Sequence, residues 1–257
     1  MNLEFNLTLA EGYKSKSQIS RRVTEGWIAA SMYCPRCGHA PVKQFANNKP
    51  VADFFCEACA SEFELKSKAN KLGNTIADGA YDTMIERITS NANPDFFFLG
   101  YNRKTMKVKE LIVVPKCFFV PSIIKKRTPL NADARRAGWT GCNILISKIP
   151  RQGRIPIIVD EIERSKESVI HQLSKAKRFE TYDVEGRGWL FDVLNCLNEI
   201  TEDVFSLQDV YAFSKILSQK HPQNNNVEAK IRQQLQMLRD KDYIEFLGKG
   251  QYRKVNN

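Results

Sequence analysis

Apolar residues along the first third of the chain follow two different periods. Ser17–Met32 has apolar side chains near one face at a period close to 3.6, which predicts a helix. Val51–Phe55 and Ser61–Lys66 are typical of two strands joined by a short turn. The spacing of apolar residues in Ile76–Ser90 predicts a second helix. The sequence therefore predicts that helices and strands alternate in this part of the chain.

The next apolar segments are almost continuous. Asp95–Tyr101 and Glu110–Pro115 have the composition of strands covered on both faces of a sheet. The order helix, strand, strand, helix, strand, strand predicts an α/β (α+β) fold, a mixed sheet with helices packed on it. Residues 116–165 are harder to place, although Ile155–Val159 indicates one more strand.

A polar stretch and a helical tail complete the chain. We place a linker around Lys166–Gly188, where the composition turns polar. Beyond it the pattern predicts three helices and a hairpin: Trp189–Ile200, Leu207–Gln219, Val227–Lys241, then Tyr243–Leu247 and Gln251–Lys254 around the turn Gly248-Lys249-Gly250. Three helices and a hairpin form a winged helix, a helix-turn-helix variant. We therefore predict two domains, residues 1–185 and 186–257.

The charge of the chain indicates an acidic partner. The formal net charge is +10 and the pI about 9.2, which favours nucleic acid or an anionic membrane surface. The longest apolar runs are far shorter than the roughly 18–20 residues of a spanning helix, and the first residues lack the pattern of a signal peptide. We expect a cytoplasmic protein. Within the tail, residues 188–219 have one basic and five acidic residues, whereas 220–257 have eight basic and four acidic. The positive charge thus lies on the third helix and the wing.

Four of the seven cysteines form two matched doublets. Cys34 and Cys37, and Cys56 and Cys59, are each separated by two residues, with eighteen residues between the doublets. Two such turns present four thiolates to one tetrahedral ion, which predicts a structural Zn²⁺ site with no open coordination position. The alternatives are four unrelated buried cysteines or a redox role. Cys117, Cys142 and Cys196 are interpreted as packing residues.

The strands that flank the second doublet contain two acids and a lysine. Alternation in a strand places Glu64 and Lys66 on one face, and Asp53 lies on the preceding strand. Paired carboxylates hold hard cations that acidify water for phosphodiester hydrolysis, and a nearby lysine stabilises the developing charge. The alternative is an ordinary exposed strand. We predict that Asp53, Glu64 and Lys66 are catalytic.

The motifs together resemble a known family. The pattern of Asp53, Glu64 and Lys66 is similar to the PD-(D/E)xK nuclease core. The runs Pro50–Lys68, Ala134–Asn143 and Ile231–Gln236 resemble the DpnI-type, Dam-replacing family of methyl-directed restriction endonucleases, and the likeness covers essentially the whole chain.

This resemblance implies a nuclease domain with an embedded zinc site and a C-terminal winged helix. It also implies a prokaryotic restriction enzyme that cuts double-stranded DNA at GATC when the adenines are methylated. The acids and the lysine match the family's catalytic positions and the cysteines match its zinc site. Mg²⁺ is then expected at Asp53, Glu64 and the backbone carbonyl of Leu65.

One departure from the motif concerns its proline. Val51 and Ala52 separate Pro50 from Asp53, whereas a literal Pro-Asp pair occurs at Asp95 without a suitable (D/E)-x-K after it. We interpret Asp95 as a residue that starts a strand. Glu25 on the first helix is interpreted as part of a solvated face, with metal binding as the alternative.

Several polar residues are predicted to contact DNA. The outer face of the third tail helix carries Ala229, Arg232, Gln233 and Gln236; glutamine pairs with adenine in the major groove, and alanine leaves room for a methyl group. Wing residues Lys249, Tyr252 and Arg253 are expected on phosphate or in the minor groove. In the nuclease domain, the candidates are Arg135, Arg136 and Trp139, with the Trp139 ring as an apolar wall for the methyl groups. The alternatives are solubilising polar residues and a core tryptophan.

Two other functions stay open at this stage. A zinc-containing winged-helix transcription regulator would need none of Asp53, Glu64 and Lys66. A structure-specific repair or recombination nuclease would use them at other DNA.

Overall fold

The computed structural model describes residues 1–46, 52–90, 92–180 and 183–255. The helices are α1 (Lys16–Ser31), α2 (Tyr81–Thr89), α3 (Lys166–Ala176), α4 (Val184–Glu199), α5 (Leu207–Tyr211), α6 (Ser214–Lys220) and α7 (Val227–Asp240). The strands are β1 (Lys43–Gln44), β2 (Phe54–Phe55), β3 (Glu62–Ala69), β4 (Ile76–Ala80), β5 (Asp95–Asn102), β6 (Lys107–Val114), β7 (Ile124–Lys126), β8 (Gly141–Ile144), β9 (Ile155–Val159), β10 (Ile162–Glu163), β11 (Val204–Ser206), β12 (Ile244–Gly248) and β13 (Gln251–Lys254).

The largest sheet is mixed, as predicted. Its strand order is β1-β2-β3-β5-β6-β9-β10, with β3 and β5 parallel and the other neighbours antiparallel. The side chains of Phe96, Phe97, Phe98 and Leu99 in β5 are all fully buried. Since adjacent side chains of a strand point to opposite faces, the sheet is covered on both sides. This confirms the mixed α/β core expected from the apolar runs.

A second sheet has the order β4-β8-β7 and corrects one prediction. The predicted helix Ile76–Ser90 begins only at Tyr81, because residues 76–80 pair with β8 as the strand β4. Asp78 lies opposite Cys142 in this pairing. The helical period starts at Tyr81, and the hydrogen bonds to β8 decide the conformation of the residues before it.

The predicted linker Lys166–Gly188 is wrong. It contains α3, whose N-terminal residue follows Ser165, a cap that accepts a hydrogen bond from the backbone N–H of Ser168. Val169, Leu173 and Ala176 are buried at helical spacing, and α3 packs against β9. Only three apolar residues mark this face, so the surrounding polar residues hid the helix.

The C-terminal region is helical with a small sheet. The predicted helix Leu207–Gln219 is divided into α5 and α6, while α4, α7 and the hairpin lie close to their predicted positions. The hairpin strands are joined by β11, which gives the order β11-β13-β12. Ser206 and Asp209 form a capping box at the start of α5. This is a helix-turn-helix domain with a wing.

Aromatic side chains join this region to the mixed α/β core. The ring of Phe118 stacks on that of Phe191 in α4 at 4.6 Å, and Phe179 packs on Phe191 at 5.4 Å and on Tyr243 at 4.9 Å between ring centroids. The predicted boundary after residue 185 falls in the first turn of α4 and stays a prediction. Among the described residues no helix is both long enough and apolar enough to cross a membrane.

Candidate active site, zinc centre and DNA-reading face

The hairpin of β2 and β3 places Asp53 beside the middle of β3. Phe54 pairs with Phe63, and the backbone N–H of Asp53 donates to the carbonyl oxygen of Phe63 at 2.9 Å. The Asp53 carboxylate oxygen Oδ2 accepts a hydrogen bond from the backbone N–H of Leu65 at 2.8 Å. Leu65 lies between Glu64 and Lys66, so the structure brings the first predicted acid to the other two residues. Val51 and Pro50 lie outside the described residues.

Lys66 is held by two carboxylates. Its ammonium Nζ lies 2.6 Å from Oε1 of Glu64, so the two side chains share one face of β3 as predicted. The same ammonium forms an ion pair with Asp78 of β4. The second oxygen of Glu64 accepts a hydrogen bond from Nη2 of Arg87 in α2 at 2.8 Å. An exposed strand face is excluded, because these side chains are largely shielded from solvent.

The pKa values of Asp53 and Lys66 are both raised, for different physical reasons. Burial raises the pKa of Asp53, and the charge of Glu25 adds to this, against the lowering effects of the Leu65 N–H and of Lys66. For Lys66, burial lowers the pKa, but the charges of Glu64 and Asp78 outweigh it and raise the value. Lys66 is therefore an ammonium at neutral pH.

The prediction that Glu25 lies on a solvated helix face is wrong. The residue is only 6% exposed. Its oxygens accept hydrogen bonds from Nε of Arg21 at 2.6 Å and from Nε2 of Gln44 at 3.0 Å. The packing of α1 on β1 and β3 buries this side of the helix, and it places the Glu25 charge close enough to act on Asp53.

Two charged residues of the site escaped the sequence analysis. Asp78 lies within the range predicted as a helix, and Arg87 was given no role. Burial alternates along β4, where Ile76 is buried, Ala77 and Gly79 are exposed, and Asp78 and Ala80 are half-buried. The residue types Ile-Ala-Asp-Gly-Ala do not themselves alternate between apolar and polar, so they did not predict a strand. For Arg87 no local signal exists, since its partner Glu64 is twenty-three residues away.

The four predicted zinc ligands form one cluster. Their sulfur atoms all lie within 4.8 Å of one another. The Sγ atoms of Cys34 and Cys59 are 3.6 Å apart, and those of Cys37 and Cys56 are 3.5 Å apart. A tetrahedral Zn²⁺ with bonds of about 2.3 Å separates its sulfurs by about 3.8 Å. The geometry therefore fits a Cys₄ zinc site.

The pKa values of the clustered cysteines shift in both directions: those of Cys34 and Cys37 are raised, and that of Cys59 is lowered. Burial raises the pKa of Cys34, while backbone N–H groups of Cys37 and Arg36 point at its sulfur and oppose the rise. At Cys59 burial also opposes ionisation, but hydrogen bonds from Ser61 outweigh it and lower the pKa to about 7. The other cysteines, Cys117, Cys142 and Cys196, are buried among apolar residues, which confirms their packing role.

The loop between β7 and β8 carries the nuclease-domain candidates for DNA contact. Arg135 and Arg136 are exposed and Trp139 is half-buried. The guanidinium carbon of Arg136 lies 4.9 Å from the Trp139 ring centroid, and an edge of the indole lies close to Gly141, where an added Cβ would meet it at 2.9 Å. Trp139 is thus neither a core residue nor free in solution. Gly141 pairs with Ala80 of β4, so the loop lies next to the strand that carries Asp78.

The outer face of α7 is exposed to solvent. Ala229, Arg232, Gln233 and Gln236 are all exposed, while Ile231, Gln234, Leu235 and Leu238 are buried. Arg232 is held in place by Tyr211 of α5, whose hydroxyl accepts a hydrogen bond from its guanidinium. The predicted division of α7 into an inner and an outer face is correct, and the buried Gln234 is its polar exception.

The wing presents fewer free groups than predicted. Lys249 is exposed at the tip, in a turn where Gly248, Lys249 and Gly250 all have positive φ. Tyr252 is half-buried and stacks on Phe205 at 5.6 Å, and Arg253 lies 3.1 Å from Glu245 in an exposed ion pair. Lys249 is the wing residue most available to a ligand.

The structure thus combines a mixed α/β core that carries a hairpin of clustered acids, a Cys₄ cluster, and a helix-turn-helix domain with a wing. The comparison with protein families agrees with this architecture. The model of the DpnI, Dam-replacing, family matches residues 1–182, and that of the Dam-replacing HTH domain matches residues 185–254. The chain belongs to the DpnI family. Membership implies a nuclease, indicates methyl-directed restriction, and together with the HTH domain indicates DNA binding.

Proposed function

We propose that this protein is a Mg²⁺-dependent endonuclease that hydrolyses double-stranded DNA at GATC sites with methylated adenines. The observation that carries the proposal is the hairpin contact between Asp53 and Leu65, which unites one acid with Glu64 and Lys66. Family membership supports methyl direction.

The donor set suits a hard cation. Carboxylate oxygens of Asp53 and Glu64 and the backbone carbonyl oxygen of Leu65 would hold Mg²⁺, which prefers oxygen ligands. When bound, the cation supplies a polarised phosphate and an acidified water for attack on phosphorus. The half-buried position of Asp53 and the buried position of Glu64 limit competing solvation.

Lys66 has a distinct task in this proposal. As an ammonium it holds a proton at Nζ and stabilises negative charge that develops on the phosphate oxygens during attack. Glu64 and Asp78 keep Nζ in place before DNA binds. Zn²⁺ at the four cysteines has no chemical step and stabilises the fold.

DNA recognition is assigned to two surfaces. On the HTH domain, Gln233 and Gln236 of α7 would read adenine edges, Ala229 would accommodate a methyl group, and Arg232 and Lys249 would bind the backbone. On the nuclease domain, Arg135 and Arg136 would bind phosphate and Trp139 would contact the methyl groups. Tyr252 and Arg253 of the wing complete the proposed DNA surface.

The test compares one plasmid prepared with and without adenine methylation at GATC. The methylated plasmid should be cut with Mg²⁺ and left intact with EDTA, and the unmethylated plasmid should be left intact with both. Cleavage of both plasmids at branched or damaged positions would instead support a structure-specific nuclease. Binding without any cleavage would support a regulator.

A further inference from the structure

Asp78 is the acid closest to the proposed catalytic lysine that does not belong to its hairpin. Its Oδ1 atom forms an ion pair with Nζ of Lys66 and accepts the backbone N–H of Gly79 at 2.7 Å. The side chain is only 3% exposed. A nearly buried carboxylate is costly unless it has a paired charge, and Lys66 is that charge.

The other oxygen of Asp78 has no partner. Oδ2 is buried and makes no hydrogen bond within the part of the chain that the structure describes. One of the two oxygens of the buried Asp78 carboxylate therefore lacks a hydrogen bond. Such unsatisfied buried groups in native proteins call for an explanation beyond stability.

Glu64 and Asp78, the two carboxylates that pair with Lys66, would differ in their contacts once Mg²⁺ is bound. A lysine ammonium is a point charge on a flexible four-carbon stem, so one partner alone fixes it poorly. Glu64 is a proposed Mg²⁺ ligand, and its charge would then be shared with the cation. Asp78 lies on β4, which is paired with β8 through Asp78 and Cys142. It can therefore keep its contact with Lys66 throughout the reaction.

We infer that Asp78 is a positioning residue for Lys66: it holds the ammonium at the site while Glu64 serves the cation. The inference rests on the proposed nuclease function. It assigns Asp78 no contact with DNA and no place among the Mg²⁺ ligands.

The test is the Asp78→Asn variant of the full-length protein, assayed on a methylated GATC duplex over a range of DNA and Mg²⁺ concentrations. We expect kcat to fall about 10- to 100-fold, the range found for residues that orient an active-site group. KM for DNA and the Mg²⁺ concentration at half-maximal rate should stay within about twofold of wild type, because ligands and DNA contacts are unchanged. Asp82→Asn is the matched control, since Asp82 is exposed on α2 nearby and loses the same charge; its kinetics should equal wild type.

Each result has one meaning. An unchanged kcat in Asp78→Asn, with wild type active, would overturn the positioning role. A large rise in the Mg²⁺ requirement would overturn it in favour of a metal ligand. If Asp78→Asn does not fold, Asp78→Glu is used; it retains the charge but displaces it by one methylene, and the same loss of kcat at unchanged KM and Mg²⁺ requirement is expected. If wild type and Asp82→Asn both fail to cut, the proposed nuclease function is wrong.

Discussion

Arg36 and Asp95 form a two-point ion pair between the cysteine cluster and the largest sheet. Nε of Arg36 lies 2.5 Å from Oδ2 of Asp95, and Nη2 lies 2.8 Å from Oδ1. Arg36 belongs to the first cysteine doublet, and Asp95 is the first residue of β5. Asp95 also accepts the backbone N–H of Lys116 at 2.8 Å. The literal Pro-Asp pair of the sequence thus has a structural role, as its interpretation as a strand start predicted.

Removal of this carboxylate should destabilise the protein strongly. Asp95→Ala leaves the Arg36 guanidinium largely shielded, with Glu180 as its one acidic partner among the described residues, and loss of one partner of a buried pair costs about 3–5 kcal/mol. Denaturant unfolding of the two proteins measures this difference. Asp240→Ala is the control, because Asp240 is exposed in its ion pair with Arg239; its effect should be within about 0.5 kcal/mol. Equal stability of Asp95→Ala and wild type would show that the ion pair does not anchor the doublet.

The fold was predictable where a local period coincides with burial. The strands β5 and β9 and the helix α7 follow directly from their apolar residues, and the cysteine spacing predicted the sulfur cluster that the structure contains. The strand β4 and the helix α3 were missed for a physical reason. Their conformation is decided by pairing with β8 and packing on β9, and such contacts between distant parts of the chain leave little trace in a local window.

The candidate site was predictable to the same degree. Asp53, Glu64 and Lys66 lie within fourteen consecutive residues of one hairpin, so strand alternation was enough to bring them together. Asp78 and Arg87 reach the site from β4 and α2. Their position depends on how a second sheet and a helix pack beside the hairpin, and the sequence gives no spacing rule for that.

Loss of the hairpin charges should abolish cleavage without loss of DNA binding. Asp53→Ala removes a proposed cation ligand, and Lys66→Ala removes the ammonium, so each should reduce the cleavage rate by at least about 100-fold, the scale of a lost electrostatic contribution to the transition state. Affinity for methylated duplex, measured with Ca²⁺ in place of Mg²⁺, should stay near wild type. The controls Glu57→Ala and Lys71→Ala alter exposed residues of the same region. A variant at position 53 or 66 that still cuts at a rate close to wild type would exclude this hairpin as the active site.

The cysteine cluster should contain metal. Elemental analysis of the purified protein should find about one zinc per chain. Cys56→Ser should lose the metal and unfold at a clearly lower temperature, because zinc binding contributes to folding. Cys196→Ala removes a buried thiol outside the cluster, so it should keep its zinc. Zinc-free protein, or a Cys56→Ser protein as stable as wild type, would contradict a structural zinc site.

The exposed face of α7 should determine sequence preference, and the wing only affinity. Gln233→Ala should weaken binding to methylated GATC duplex by about 1–3 kcal/mol and leave binding to unrelated duplex unchanged. Lys249→Ala should weaken both equally and reduce the slope of log affinity against log salt by about one. Titrations at several salt concentrations separate the two. If Gln233→Ala lowers affinity for every duplex alike, α7 is not the reading helix.

Methyl discrimination should depend on Trp139 as well as on α7. Burial of one methyl group against an apolar surface contributes about 1 kcal/mol, or roughly five- to tenfold in affinity, so contact with α7 alone gives a modest preference. A second apolar surface beside the proposed active site would raise the preference for methylated DNA. Trp139, which lies close to Arg136 and Gly141, is the side chain proposed to provide that surface. Trp139→Ala in the full-length protein should therefore reduce the ratio of cleavage rates on methylated and unmethylated duplexes by about tenfold or more.

Two glycine variants make this test specific. Gly141→Ala keeps the indole but adds a Cβ that would lie 2.9 Å from its ring, so the ring must shift, whereas Gly79→Ala on the neighbouring strand adds a Cβ with nothing within 4 Å. Gly141→Ala should reduce the ratio in the same direction as Trp139→Ala, and Gly79→Ala should leave it unchanged. Equilibrium binding to the unmethylated duplex should change little in all three, because α7 is untouched and no methyl group is present to contact Trp139. If Trp139→Ala and Gly141→Ala both keep the wild-type ratio of cleavage rates on methylated and unmethylated duplexes, Trp139 has no part in methyl discrimination. All of the discrimination would then be assigned to DNA binding by the HTH domain.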